Sequence, residues 1–378
     1  MANILLVANW ESGVGYAWWL MENFWVTIAE HFGAMGRRCF LIYPKVTELP
    51  ETIASSDITV LEHDFRATTP AALRRLRSII RENDIAYIYL TDHPSHRPLY
   101  LILRTWGIRS IVIHDHTPGD RPPAKGWKRL AKSIVQRTPY VTADHFIGVT
   151  RFVYQRFIDT ACIPTRKCSY AANGIVPIDR ADAPRRYAQG QFGIPDDALI
   201  VVSTGRASRY KGIDFIIRTA HELVNIRGRK NLYFLYCGDG PDLPAFKALA
   251  KELGVSHVFR FAGNRSDIRT LLPSCHIAFH AAKGEVGYSL SILEYMSAGL
   301  ATMVPDRPST ALSIQHMRTG LIYRPDIVDA AAHAIELLLD HPDMRHRLGE
   351  AAAAEVQSQY DLHQTNTRLV NALDPLFT

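Results

Sequence analysis

The chain has 378 residues, 47% of them hydrophobic and 21% charged, with a net charge of +6. That length and balance belong to a globular protein of two domains, each able to bury its own core, and no apolar run approaches the ~20 residues that a membrane span needs. The mild positive charge admits anionic ligands or an anionic membrane surface and gives no reason to expect a nucleic-acid partner. The five cysteines, at 39, 162, 168, 237 and 275, are odd in number and none has zinc-ligand spacing, so reduced thiols and no bound metal are expected. Met1 to Asn9 reads as a first strand. It lacks the basic start and the cleavage site of a signal peptide, which makes a cytoplasmic location the expectation.

Strand-like runs then alternate with amphipathic stretches. In the first half they fall at 4–8, 39–43, 58–61, 86–90, 110–113 and 145–149. In the second half they fall at 199–203, 232–237, 258–261, 276–279, 301–304 and 321–323. Short continuous apolar strands separated by helices imply parallel sheets covered on both faces. That is an α/β doubly wound architecture. The pattern breaks once, in a polar stretch with Pro and Gly between Asn173 and Asp197, which reads as a linker. It divides the chain into two similar halves, and a ligand is expected in the cleft between them.

Three glycine turns follow strands of the second half. In 202–214 a strand ends at Gly205, and Arg206 and Lys211 stand in the loop before a helix. At the C-terminal end of a parallel strand, two cations suit a diphosphate and charge developing on a leaving phosphate. The plainer alternative is a loop of solvated basic residues. The turn at Gly238-Asp239-Gly240 either approaches a nucleotide or simply turns the chain, and alone it favours the simple turn. The stretch from Gly284 to Gly299 is the most informative. It follows the strand-like run ending in His280-Ala281-Ala282, turns at Gly287, then opens a helix that closes at Gly299. Gly287 lets a ligand approach the backbone, and the free N–H groups at the helix start suit a diphosphate. Glu285 and Glu294 bracket the turn. Carboxylates for hydroxyls beside a phosphate site point to a nucleotide-sugar.

With these pieces in order, the second half resembles the donor-binding domain of the retaining glycosyltransferase family 4, which has the GT-B fold: two Rossmann-like doubly wound domains facing across a cleft. The matching pieces are Gly205-Arg206 with Lys211-Gly212, Gly238-Asp239-Gly240, Phe261-Ala262-Gly263, the segment from Glu285 to Gly299, and Thr319-Gly320 with Leu321 to Tyr323. Ordered motifs over about 120 residues carry far less false-positive risk than a single hit. The first half resembles the acceptor domain more loosely, through Ser12-Gly13-Val14-Gly15-Tyr16, His114-Asp115, Thr150-Arg151-Phe152 and Asn173-Gly174. The resemblance implies an acceptor domain over 1–176, a nucleotide-sugar domain over 177–359, and a C-terminal helix within 360–378 that packs back on the first.

The resemblance also implies roles. Glu294 accepts hydrogen bonds from the nucleotide ribose. Arg206 and Lys211 bind the diphosphate. Backbone N–H groups near Gly287, Tyr288, Ser289 and Leu290 hold the phosphates and sugar. His114 lies close to the transferred sugar, and Gly13 and Gly15 let their loop close over the donor. The implied activity is transfer, with retention, from a nucleoside-diphosphate sugar to a hydroxyl of a glycan or lipid-linked acceptor, without a metal or other cofactor. One departure stands out. The family's paired glutamates are one residue closer together than Glu285 and Glu294, and Val286 occupies the expected register. A one-residue shift of the loop restores Glu285 to the role; its loss leaves a non-catalytic sugar-nucleotide-binding subunit as an alternative. A nucleotide-sugar epimerase on the same fold is the other alternative.

Two further stretches hint at a membrane. From Arg121 to Arg137 there are six basic residues and no acidic one. Trp127, Leu130 and Ile134 share one helical face and Lys125, Lys128, Arg129 and Lys132 another. Such a helix either lies on an anionic membrane, as a peripheral enzyme requires, or is an ordinary surface helix with its apolar face in the core. The stretch 16–32, with Trp18, Trp19 and Trp25, reads as core or as the border of an acceptor groove.

Overall fold

Thirteen strands, all in parallel pairing, form two sheets in a computed structural model that describes residues 2–14, 18–181, 183–285 and 289–377. The chain divides into two units.

The first unit comprises Met1–Thr117, Arg121–Asn173 and His363–Thr378. Its strands are β1 (Asn3–Val7), β2 (Cys39–Tyr43), β3 (Thr59–Glu62), β4 (Ile85–Thr91), β5 (Ser110–Asp115), β6 (His145–Gly148) and β7 (Cys168–Tyr170). They lie in the order β3-β2-β1-β4-β5-β6-β7. Strands β1, β2 and β4 are buried along their whole length, as strands covered by helices on both faces must be. Strand β7 has no counterpart in the expected pattern. It is a three-residue edge strand, half-buried and partly exposed, so it carries no apolar run to betray it.

The helix Trp18–Ala34 covers this sheet with Leu20, Phe24, Trp25 and Ile28. Trp25 is fully buried and meets Tyr43 edge-on at 5.7 Å, which makes this tryptophan core. The C-terminal residues return to the same unit. Asn366 accepts from Asn23 Nδ2 at 2.9 Å, and the Phe377 ring lies 5.6 Å from Phe32 and 5.3 Å from Tyr87.

The second unit comprises Pro118–Asp120 and Gly174–Leu362. Its strands are β8 (Leu199–Thr204), β9 (Leu232–Cys237), β10 (Phe259–Gly263), β11 (Ile277–Phe279), β12 (Ala301–Pro305) and β13 (Leu321–Tyr323). The order is β10-β9-β8-β11-β12-β13. The direction of winding therefore reverses between β8 and β11, and in such sheets ligands bind outside the strand C-termini at that point.

The stretch expected to be a linker is not an open tether. Beyond Asn173 it belongs to the second unit, where Ile178, Ala188 and Ile194 are buried in one cluster with Leu271, Leu272 and Tyr295. Its helix Tyr187–Phe192 ends at Gly193 in the left-handed conformation. A few apolar side chains among many polar ones suffice to dock it. Among the described residues no helix is long and apolar enough to cross a membrane.

Candidate active site

The loops that the sequence singled out in the second unit meet at the C-terminal ends of β8, β9 and β11. Gly205 follows β8, and its N–H donates to Cys237 O at 3.1 Å. Gly238 follows β9, and a Cβ there would stand 1.8 Å from Gly205 O. Only glycine allows these two turns to touch. The next turn is fixed by Ala207 N–H donating to Asp239 O at 2.8 Å. Gly212 lies in the left-handed region at φ 71°, and a Cβ there would fall 2.2 Å from Ala281 O. The loop after β8 is thereby pressed onto the loop after β11, which brings Lys211 to Glu285.

That contact is the centre of the site. Glu285 is 6% exposed. Its carboxylate accepts from Lys211 Nζ at 2.5 Å, and His280 Nε2 lies 3.3 Å from the same oxygen. The histidine contact is close enough for attraction but is not aligned as a hydrogen bond. The backbone is held too: Glu285 N–H donates to Ser309 Oγ at 3.1 Å, and Gly119 N–H donates to Glu285 O at 3.2 Å. Burial by itself pushes the Glu285 carboxyl up. Lys211 and then His280 outweigh burial and hold it at about 2, so it is an anion at neutral pH. Arg206 is exposed in the same loop. Sequence reasoning passed over His280 and Ser309. His280 had a signal in its place directly after an apolar strand, where sites gather; Ser309 had none.

Glu294 stands on the helix Leu290–Ser297, which Ser289 caps by accepting from Ile292 N–H at 3.3 Å. The neighbouring Tyr295 is fully buried and accepts from Thr204 N–H at 2.5 Å, which ties this helix to the end of β8. Burial pushes the Glu294 carboxyl up to about 7, with Arg269 partly opposing it. Two glutamates of opposite character therefore flank this turn: Glu285, in the loop after β11, is held ionised, and Glu294, on the helix, is poised to titrate. Gly287 and Tyr288, together with Val286, lie outside the described residues, as does Gly15.

In the first unit, Gly13 has φ 77° in a turn whose preceding Ser12 N–H donates to Lys45 O at 3.1 Å. His114 is the last residue but one of β5 and is fully buried. Its Nδ1 pairs with the Tyr89 hydroxyl, while its Nε2 has no hydrogen-bond partner among the described residues. Burial pushes His114 well below the ordinary imidazole range, and His116, 4.2 Å away ring to ring, adds to this. It is a neutral imidazole with one nitrogen to offer. Asp115 instead serves the fold, accepting from Thr117 N–H at 2.8 Å and pairing with Arg156 at 3.2 Å.

The segment 121–137 corrects one expectation. Its helix is Gly126–Arg137, and the apolar face does not enter the core: Trp127, Leu130 and Ile134 are all exposed.

Two family models match the chain: Glycosyltransferase Family 4 over residues 21–177 and Glycosyl transferases group 1 over residues 185–355. Alpha-D-kanosaminyltransferase of Streptomyces kanamyceticus is 29% identical over 282 residues, covering 71% of each chain. The lipopolysaccharide core biosynthesis glycosyltransferase LpsD of Rhizobium meliloti is 26% identical over 242 residues, covering 64% of this chain and 63% of its own. Among solved structures, a glycosyltransferase from Rickettsia africae matches with a TM-score of 0.78 at 17% identity, covering 100% of this chain and 99% of the other. Anabaena HepE in complex with UDP matches with a TM-score of 0.76 at 15% identity, covering both chains fully. At such identities the structural likeness speaks for the fold alone, two Rossmann-like domains of the GT-B type. With glycosyltransferase models matching both halves and glycosyltransferases as its relatives, the chain is a glycosyltransferase and belongs to glycosyltransferase family 4.

Proposed function

We propose that this enzyme, working in glycan or glycolipid synthesis, moves a sugar from a nucleoside-diphosphate donor to a hydroxyl of a glycan or lipid-linked acceptor with retention of the anomeric configuration. The observation that carries the reading is the Lys211–Glu285 contact of 2.5 Å at the reversal point between β8 and β11. A cation at that point, beside exposed Arg206 and the start of the helix Leu290–Ser297, suits a diphosphate leaving group, whose charge grows as the glycosidic bond breaks. Glu294 accepts the ribose hydroxyls. Glu285, already ionised, is the carboxylate nearest the transferred sugar. His114, neutral and with a free Nε2, hydrogen-bonds the sugar. No metal or other cofactor takes part. HepE, a structural relative, has been solved with UDP and with UDP-glucose, and a mycobacterial relative is named for GDP-mannose; both kinds of donor belong in the test.

A thermal-shift screen of UDP-, GDP-, ADP- and CDP-sugars tests the reading, because a ligand bound only by the folded state raises the midpoint by mass action. One class of donor should raise it, and Glu294→Gln should weaken that response. Donor turnover over an acceptor panel follows, with the anomeric configuration of the product read by NMR. Donor binding without turnover would reject the transferase assignment for this site, and an inverted product would reject retention.

A further inference from the structure

The helix Gly126–Arg137 of the first unit is mounted inside out. Its buried side chain is polar: Gln136, 4% exposed, donates from Nε2 to Ser95 Oγ at 2.7 Å. Lys132 Nζ adds a second polar tether, donating to Thr160 O at 2.8 Å. The large apolar side chains point the other way, with Trp127 75%, Leu130 65% and Ile134 60% exposed. At 3.6 residues per turn these three lie within an arc of roughly 60°, with Gln136 on the opposite side of the helix. Arg137 lies roughly 20° beyond one edge of that arc, and Lys128 about 100° beyond the other. Arg121, Lys125 and Arg129 are exposed as well, and no carboxylate occurs from 121 to 137. Tyr140, just past the helix, is 62% exposed.

We propose that this helix docks the protein on an anionic lipid bilayer, with Trp127, Leu130 and Ile134 entering the boundary between headgroups and acyl chains and the flanking cations meeting lipid phosphates. Charge complementarity selects this occupant. A second copy docked face to face would oppose two rows of cations with no acidic residue in the segment to offset them. A nucleic acid would satisfy the cations but set three apolar side chains against phosphates. A bilayer with anionic headgroups supplies both halves of the match, and an interfacial helix with an apolar face and basic flanks is suited to it. The inference stands on this helix alone and holds whatever donor the enzyme takes.

The test sediments the full chain, without substrate, with vesicles of phosphatidylcholine alone or mixed with phosphatidylglycerol. Binding is expected only to the mixed vesicles at low ionic strength, and added salt should weaken it. Lys128→Ser with Arg137→Ser should lower affinity about fivefold per cation removed. Trp127→Ser with Leu130→Ser and Ile134→Ser should abolish binding while leaving the melting midpoint unlowered, because the three side chains are solvent-exposed. Equal binding to both vesicle types would overturn the proposal, as would full binding by the apolar triple variant. So would self-association, or capture by DNA, that the triple variant loses while vesicles are ignored.

Discussion

Replacing Lys211 by Met keeps the aliphatic stem and removes the charge. Glu285 then remains as an anion, 6% exposed, with His280 Nε2 at 3.3 Å as its remaining side-chain neighbour. A carboxyl held at about 2 instead of 4.5 is favoured as the anion by roughly 3 kcal/mol, and Lys211 is the strongest of the partners that lower it. The variant should therefore cost the second unit about 2–3 kcal/mol at neutral pH, because breaking a buried pair strands the remaining charge. For a domain of this size that is a fall of about 5–10 °C in midpoint.

The pH dependence follows from the direction of the shift. In the wild type the native carboxyl lies below its unfolded value. Its contribution is thus present above pH 4.5 and lost as the pH falls toward 2. The deficit of Lys211→Met should accordingly be largest at neutral pH and shrink as the pH drops through 4.5. Adding Glu285→Gln should recover at least half of the loss, since the penalty is the stranded charge and not the missing methylammonium. Urea unfolding of the wild type, both single variants and the double variant gives the coupling directly. A loss under about 0.5 kcal/mol, or a double variant no more stable than Lys211→Met, would refute the reasoning.

Glu294 should behave in the opposite sense. Its native carboxyl is raised to about 7, so it contributes stability at low pH that is lost as the pH rises from 4.5 through 7. Glu294→Gln should be more stable than the wild type at pH 8 by up to roughly 3 kcal/mol and equal to it near pH 4, while binding nucleotide more weakly; a midpoint lowered at pH 8 would contradict this. Tyr295→Phe leaves the Thr204 N–H without its acceptor and should cost about 1–3 kcal/mol in urea unfolding, with a weaker response to donor as the Glu294 helix loosens; wild-type stability would count against the tether. Gly238→Ala drives a methyl to 1.8 Å from Gly205 O, and should cost at least about 3 kcal/mol or prevent folding. Soluble expression at the wild-type midpoint would show that the two turns do not touch.

Much of the architecture was legible because the signals are local. Runs such as Cys39–Tyr43 and Leu232–Cys237 are continuous and apolar, and they form strands with those same bounds. The edge strand Cys168–Tyr170 was not legible, being short and only half-buried. The polar stretch after Asn173 looked like a tether because its buried apolar residues, among them Ile178, Ala188 and Ile194, are too sparse to make a pattern. At the site, the glycine turns and the basic residues after them were readable from turn chemistry. The spacing of Glu285 and Glu294 was readable as a departure from the family register.

The sequence by itself determined two doubly wound halves, the loops at their strand ends, and a helical stretch within 121–137 with an apolar face and a basic one. Tertiary structure decided what those parts meet. Lys211 reaches Glu285 across 74 positions of sequence, and Tyr295 reaches Thr204 across 91. The 126–137 helix turns its polar Gln136 inward and its Trp127 outward. Periodicity gives a helix two faces but no compass. Which face is inside, and which charge finds a partner, depends on the path of the whole chain, since burial and Coulomb attraction act between residues that local sequence does not relate.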